Sequence, residues 1–138
     1  MTNNEILFKA CNNLGRYINI PGIYRHFKET KDGEDMIYAV SAVSIPTSKD
    51  FLREMILDNN AKAHYFNHTE KETLMPIYRL ANNYYHLDET ESEILVIYTA
   101  MYGDRKTYIR PLPMFVSKTD KEKYPNASQR YRLQLIKD

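Results

Sequence analysis

The spacing of apolar positions changes several times along the chain, and each change marks an element. Ile6, Leu7, Ala10, Cys11 and Leu14 recur at three- and four-residue intervals, which puts them on one stripe of a helix over about Asn3–Leu14. Thr2 and Glu5 have the Thr-x-x-Glu spacing of a capping box, and Gly15 supplies the stop. Pro21-Gly22 then leads into alternation: Ile23–Lys28 as one strand, a polar turn at Lys31-Asp32-Gly33-Glu34, and Met36–Ile45 as its hairpin partner, ended by Pro46. A second helix is expected over Lys49–Leu57. Ser48 is its cap, Phe51, Leu52, Met55 and Ile56 lie on one face, and Asp58-Asn59-Asn60 ends it.

Between Ala61 and Leu87 the periodicity fades. Ala63–Phe66 and Met75–Leu80 each have the length of a short strand, but Pro76 has no N–H for a ladder and argues against a central place for the second. Ile94–Tyr102 is a clear strand, apolar on both faces. Leu95, Ile97 and Met101 alternate with Ile94, Val96 and Ala100, so one face wants a helix and the other a second cover, expected from a partner subunit in at least a homodimer. Gly103–Lys106 is a turn, Thr107–Arg110 returns, Pro111 and Pro113 break the ladder, Lys118–Ser128 is a charged loop, and Gln129–Ile136 alternates as a last strand. The expected architecture is α+β: a twisted antiparallel β-sheet of five strands with two helices, in one domain spanning 1–138. Its core should include Leu7, Val40, Val43, Ile94, Val96, Met114 and Leu133.

Composition narrows the class. With 138 residues, 43% of them hydrophobic, the chain can bury a core without disulfides or a metal. The one cysteine, Cys11, and a polar start at Thr2-Asn3-Asn4 fit a reducing compartment, and a cytoplasmic location is expected. The longest apolar run, Ile94–Ala100, is strand-sized, so no membrane association is expected. A net charge of +1 argues against a nucleic-acid polymer as partner. Asp88–Glu93 is nonetheless acidic, and Arg105–Arg132 is a basic stretch with eight of the 19 Lys and Arg residues.

Catalytic and metal motifs are sparse. His64 and His68 have i, i+4 spacing, but they fall in the least regular segment with no cysteine near, and surface histidines explain them more simply. Cys11 sits on the apolar stripe of the first helix, where a free thiol packs as a small apolar residue. Four glycines in the whole chain leave no phosphate-cradling loop. His86 and Glu89 are the nearest thing to acid–base equipment, and a solvated turn accounts for them equally well. No cofactor is implied.

Arginines beside aromatics at strand ends are more suggestive. In Tyr24-Arg25-His26-Phe27-Lys28, alternation puts Arg25 and Phe27 on one face and Tyr24, His26 and Lys28 on the other. Tyr108-Ile109-Arg110-Pro111 fixes a second arginine just before a proline. Guanidinium groups pair with phosphate and stack on bases, and the phenol rings of Tyr24 and Tyr108 offer further stacking faces. Ordinary sheet-rim arginines are the plain alternative.

These blocks, together with Ile37-Tyr38-Ala39-Val40, His86-Leu87-Asp88-Glu89-Thr90, Ile97-Tyr98-Thr99-Ala100-Met101-Tyr102-Gly103-Asp104 and Ile109-Arg110-Pro111-Leu112-Pro113-Met114-Phe115, occur in the order of a small bacterial and phage domain-of-unknown-function family. Its pattern runs YRH(F/Y)K, Y-x-V, HSET, VVYRALYGD and (V/I)RPLxMF. The chain departs from the short members by an insertion at about 46–85, and in that arrangement it resembles the phage Thoeris anti-defence sponges. The resemblance implies a small oligomeric protein that sequesters a cyclic ADP-ribose isomer, and in some members cyclic oligonucleotides, without cleaving it. It implies Arg25, Arg110 and an aromatic at Tyr84 or Tyr85 as ligand contacts. Two readings follow: a non-catalytic cyclic-nucleotide binder, and a non-catalytic interaction module with an SH3-like core docked to nucleotide-handling enzymes. Hydrolysis run by His86 and Glu89 is the third.

Overall fold

The computed structural model describes residues 2–137. In chain order the elements are α1 (Asn3–Leu14), β1 (Gly22–Glu29), β2 (Asp35–Thr47), α2 (Lys49–Asn59), β3 (Lys62–His68), β4 (Thr73–Leu80), β5 (Asn83–Leu87), β6 (Leu95–Ala100), β7 (Thr107–Pro111), α3 (Leu112–Phe115) and β8 (Leu133–Lys137). The helix signals act as the sequence suggests. Thr2 Oγ1 accepts the Glu5 N–H, Gly15 ends α1 at φ 77°, Ser48 Oγ accepts the Phe51 N–H, and Asn60 ends α2 in the left-handed region.

Strand order is β5-β4-β3-β7-β6-β2-β1-β8, with a further pairing of β5 to β2. That pairing closes six strands into a small barrel. The length of β2 makes closure possible: one edge carries β6, while the other carries β1 along Asp35–Val40 and β5 along Ser44–Thr47. A bulge between Val40 and Ala42 lies where β2 passes from the open sheet into the barrel. The β1–β8 pair extends from β2 as an open wing.

The fold is therefore α+β in one compact domain, but several of its details depart from expectation. The sheet is mixed, since β2–β5 and β3–β7 are parallel. The segment 61–87 holds three strands, and a short third helix follows β7. And β4 lies between β3 and β5 despite Pro76. Its register explains the tolerance: Pro76 faces Tyr65 of β3, while β5 joins β4 only at Tyr78–Leu80, so nothing on the β5 side needs the missing N–H. The last strand is shorter than Gln129–Ile136 because Gln129 turns its side chain onto the Arg25 carbonyl and Tyr131 makes an isolated bridge to Lys118.

Two apolar clusters lie on either side of β6. One, beneath α1 and α3, gathers Cys11, Tyr24, Tyr38, Val40, Ile94, Val96, Tyr98, Phe115 and Leu133, with Leu7 and Val43 packed at its margin. The other fills the barrel with Met75, Ile77, Leu95, Ile97 and Ile109. Met114, expected in the core, is only half-buried. Both faces of β6 are thus covered by the chain itself: the second cover that a partner subunit was expected to supply comes from β3 and β4. No helix among the described residues is long and apolar enough to cross a membrane.

Candidate functional site

Alternation along β7 sends Ile109 into the barrel and Tyr108 and Arg110 to the opposite face. Cross-strand register sets Arg110 beside Val96 and Tyr108 beside Tyr98. The Tyr98 and Tyr108 rings are 5.9 Å apart, and the Arg110 guanidinium carbon lies 6.0 Å from the Tyr98 ring centre. Tyr38 extends the group: its ring meets Tyr98 edge-on at 5.1 Å, and its hydroxyl is 2.6 Å from that of Tyr102. Burial pushes the Tyr98 phenol up to about 12, with the Arg110 charge opposing the rise. Burial and the bond to Tyr102 raise the Tyr38 phenol further still. The phenols of Tyr38 and Tyr98 are therefore held neutral.

Arg110 is the unbalanced member. Its Nε donates to Thr69 Oγ1 at 3.3 Å, and its buried Nη1 has no partner. Among the described residues the only side-chain ion pair joins His68 and Glu91, so no carboxylate lies within ion-pair distance of Arg110; the acid near it is Glu70, which accepts from Thr69 Oγ1 at 3.4 Å. Burial, followed by the charges of Arg110, Arg132 and Lys28, lowers the His26 imidazole to about 4. The region is cationic without counting that histidine.

The remaining sequence-predicted contacts do not converge on Arg110. Arg25 leaves β1 on the face opposite the buried Tyr24 and His26, where its Nε donates to Gln129 Oε1 at 2.5 Å and Gln129 Nε2 returns a bond to the Arg25 carbonyl. Tyr24 is 1% exposed, with its ring against Phe115 at 5.2 Å and its hydroxyl accepting the Asn19 N–H, which makes it a core residue. Tyr84 turns toward the barrel cluster beside Arg79, and Tyr85 packs outward against Phe51. Neither has a hydrogen bond or ring contact with Arg110 or Arg25. Of the expected set, Tyr108 and Arg110 come together within one chain. A register shift after Arg25 also breaks the expected alternation, so that Phe27 and Lys28 both reach Tyr124.

Three of the four histidines, His26, His68 and His86, are buried. His86 is fully buried, with Nδ1 2.7 Å from Ser44 Oγ and Nε2 3.0 Å from the carbonyls of both Glu91 and Glu93. Two carbonyls can only accept, so Nε2 carries the proton and Nδ1 receives the serine hydroxyl. Burial lowers this imidazole to about 4. His68 Nδ1 accepts the N–H groups of Glu70 and Lys71, leaving Nε2 to donate to Glu91 at 2.8 Å. His64 and His68 lie on a strand, not a helix, and a four-residue strand step of about 13 Å is too long for one metal ion.

Sequence reasoning missed Thr69, which aims Arg110, and Arg132, Lys118, Lys123 and Tyr124, treated as a charged loop and a wet strand face. The clustering of basic residues after Arg105 was the available signal. A family described as "Protein of unknown function (DUF1653)" matches residues 78–133. That stretch runs from the end of β4 through β6, β7 and Arg110 to the start of β8 and leaves β1 outside. No curated protein and no solved structure matches the chain.

Proposed function

We propose that this protein binds and sequesters a phosphate-bearing cyclic nucleotide without transforming it, as the Thoeris anti-defence sponges it resembles do with cyclic ADP-ribose isomers. The observation that carries the reading is Arg110: half-buried, without an ion-pair partner, its Nη1 unpartnered, and set among Tyr98 and Tyr108. A buried donor without an acceptor costs about 1–3 kcal/mol, and a phosphate oxygen that reached Nη1 would remove that cost. The half-buried ring of Tyr108 offers a face for a base. Arg25, tied to Gln129 on the other face of β1, has at most a supporting part within one chain. A second copy would have to bring Tyr84, Tyr85 or Arg25 to the ligand, and self-association enters through the resemblance alone.

Sequestration asks for no proton transfer, and both ring nitrogens of His86 are already committed. The alternative, a non-catalytic interaction module with an SH3-like core, draws on the closed barrel and its filled interior. Calorimetric titration with cyclic ADP-ribose isomers and cyclic dinucleotides, with mass spectrometry of the released ligand, separates the readings. Heat with intact ligand is the expected outcome. A cleaved ligand means an enzyme, and no heat means the interaction module.

A further inference from the structure

The loop between α3 and β8 folds back over the end of β1. Tyr124 donates its backbone N–H to the Asp120 carbonyl, and Asp120 Oδ1 accepts the N–H groups of Glu122 and Lys123. Lys118 pairs with Tyr131, and the Thr119 N–H bonds the Arg130 carbonyl. The turn encloses a hollow of about 170 Å³ lined by Phe27, Lys118, Asp120, Lys123, Tyr124 and Arg132.

The charge here is one-sided. Lys118, Lys123 and Arg132 line the hollow, and Lys28 joins them with its ammonium 4.8 Å from the Tyr124 ring. The single acid, Asp120, already caps its own turn. None of the four cations has an ion-pair partner among the described residues. Arg132 Nε is buried without an acceptor, and on the same strap the Thr119 hydroxyl, in a side chain 5% exposed, is also unpartnered. Four cations around one carboxylate leave a net positive charge, and like charges held together repel one another less when an anion sits between them. The Tyr124 phenol is lowered by the nearby ammoniums, a hydrogen bond from Lys28 first.

The hollow does not end there. Phe27, Lys123 and Tyr124 are shared with a wider one of about 360 Å³ that continues over Pro125, Asn126 and Ala127. The two rings meet edge-on at 4.8 Å and form the wall between a small cationic compartment and a larger, flatter one.

We infer that this is a second ligand site, whose lining does not include Arg110, and which takes a phosphate monoester: its phosphate against Arg132, Lys118 and Lys123, its organic part along Phe27 and Tyr124 toward Asn126. A tetrahedral dianion can accept from Arg132 Nε and both lysines at once, the charge-assisted pairing that guanidinium and ammonium groups favour. The organic part then lies on the aromatic wall, where a planar base gains stacking.

The test is a ¹H–¹⁵N NMR titration of the full chain with inorganic phosphate and with AMP, each against chloride at matched ionic strength. Saturable shifts at Phe27, Lys118–Tyr124 and Arg132 are expected, with AMP binding more tightly than phosphate. Lys123→Ala, at an exposed position, and Arg132→Gln should each weaken AMP binding about tenfold, one charge-assisted contact each. Arg110→Ala should leave it within about twofold, so failure here is distinguishable from failure at Arg110. Chloride shifts equal to phosphate shifts, AMP no tighter than phosphate, or both loop variants binding like wild type would overturn the assignment.

Discussion

Thr69 takes one donor of Arg110, a 3.3 Å bond to Nε, and leaves the buried Nη1 with nothing to bond. Thr69 follows β3 directly, its own N–H held by the Ile109 carbonyl, so the β3–β7 pairing that closes the barrel also aims the guanidinium. Thr69→Val, which keeps the shape and removes the acceptor, should weaken cyclic-nucleotide binding about three- to tenfold by loosening Arg110. Its thermal midpoint should stay close to wild type, and a titration alongside a melt checks both halves.

Arg25 should behave differently. Its reciprocal bonds with Gln129 tie β1 to the segment before β8. Arg25→Ala is expected to cost about 1 kcal/mol of stability in urea unfolding. Its effect on ligand affinity should stay below about tenfold if the site lies within one chain. A larger loss would mean that a second copy brings Arg25 to the ligand, which light scattering with and without ligand would reveal.

The buried His86 gives a pH signature. Its imidazole is held near 4 in the folded state by burial, against about 6.5 unfolded. Between those values the unfolded chain binds the extra proton, so stability rises with pH there. The contribution is complete above about pH 6.5 and lost as pH falls toward 4, an upper bound of about 3 kcal/mol. His86→Gln should be less stable at pH 7 and show a shallower fall in urea midpoint between pH 6.5 and 4.5 than wild type. An equal slope in both proteins would remove His86 as the cause.

How far the sequence carries depends on what faces inward. Helix α1, the β1–β2 hairpin, α2 and β6 were legible because their caps, turn glycine and apolar periods agree with the tertiary structure. Strands β3 and β4 showed only as the strand-sized runs Ala63–Phe66 and Met75–Leu80, and β5 did not show at all. Their inward positions include His68 and His86, which satisfy one another's surroundings through Ser44, Glu91 and backbone carbonyls, and such buried polar positions erase the alternation that marks a strand. Outward positions compound this, since Tyr65 and Leu74 are largely exposed. The closure of β5 on β2 is a pairing between distant segments with no local signal. The same holds for the site: Tyr108-Ile109-Arg110 could be read from its spacing, whereas Thr69 and Arg132 reach their places only through the folded chain.

The barrel interior is packed rather than hollow, and truncation should be felt there. Ile77 is fully buried among Met75, Leu95, Ile97 and Ile109, so Ile77→Ala should cost about 2–4 kcal/mol in urea unfolding. Leu57→Ala, at a side chain 70% exposed, should cost under about 0.5 kcal/mol. Equal costs would contradict the closed, filled barrel.

The most direct measurement is the affinity of wild type and Arg110→Ala for a cyclic ADP-ribose isomer, with the ligand recovered afterwards and weighed by mass spectrometry. Wild type should bind and return the ligand intact. Losing a desolvated charge-assisted contact worth about 3 kcal/mol should weaken the variant at least about a hundredfold. Wild-type affinity in Arg110→Ala, or a cleaved ligand from either protein, would contradict the account.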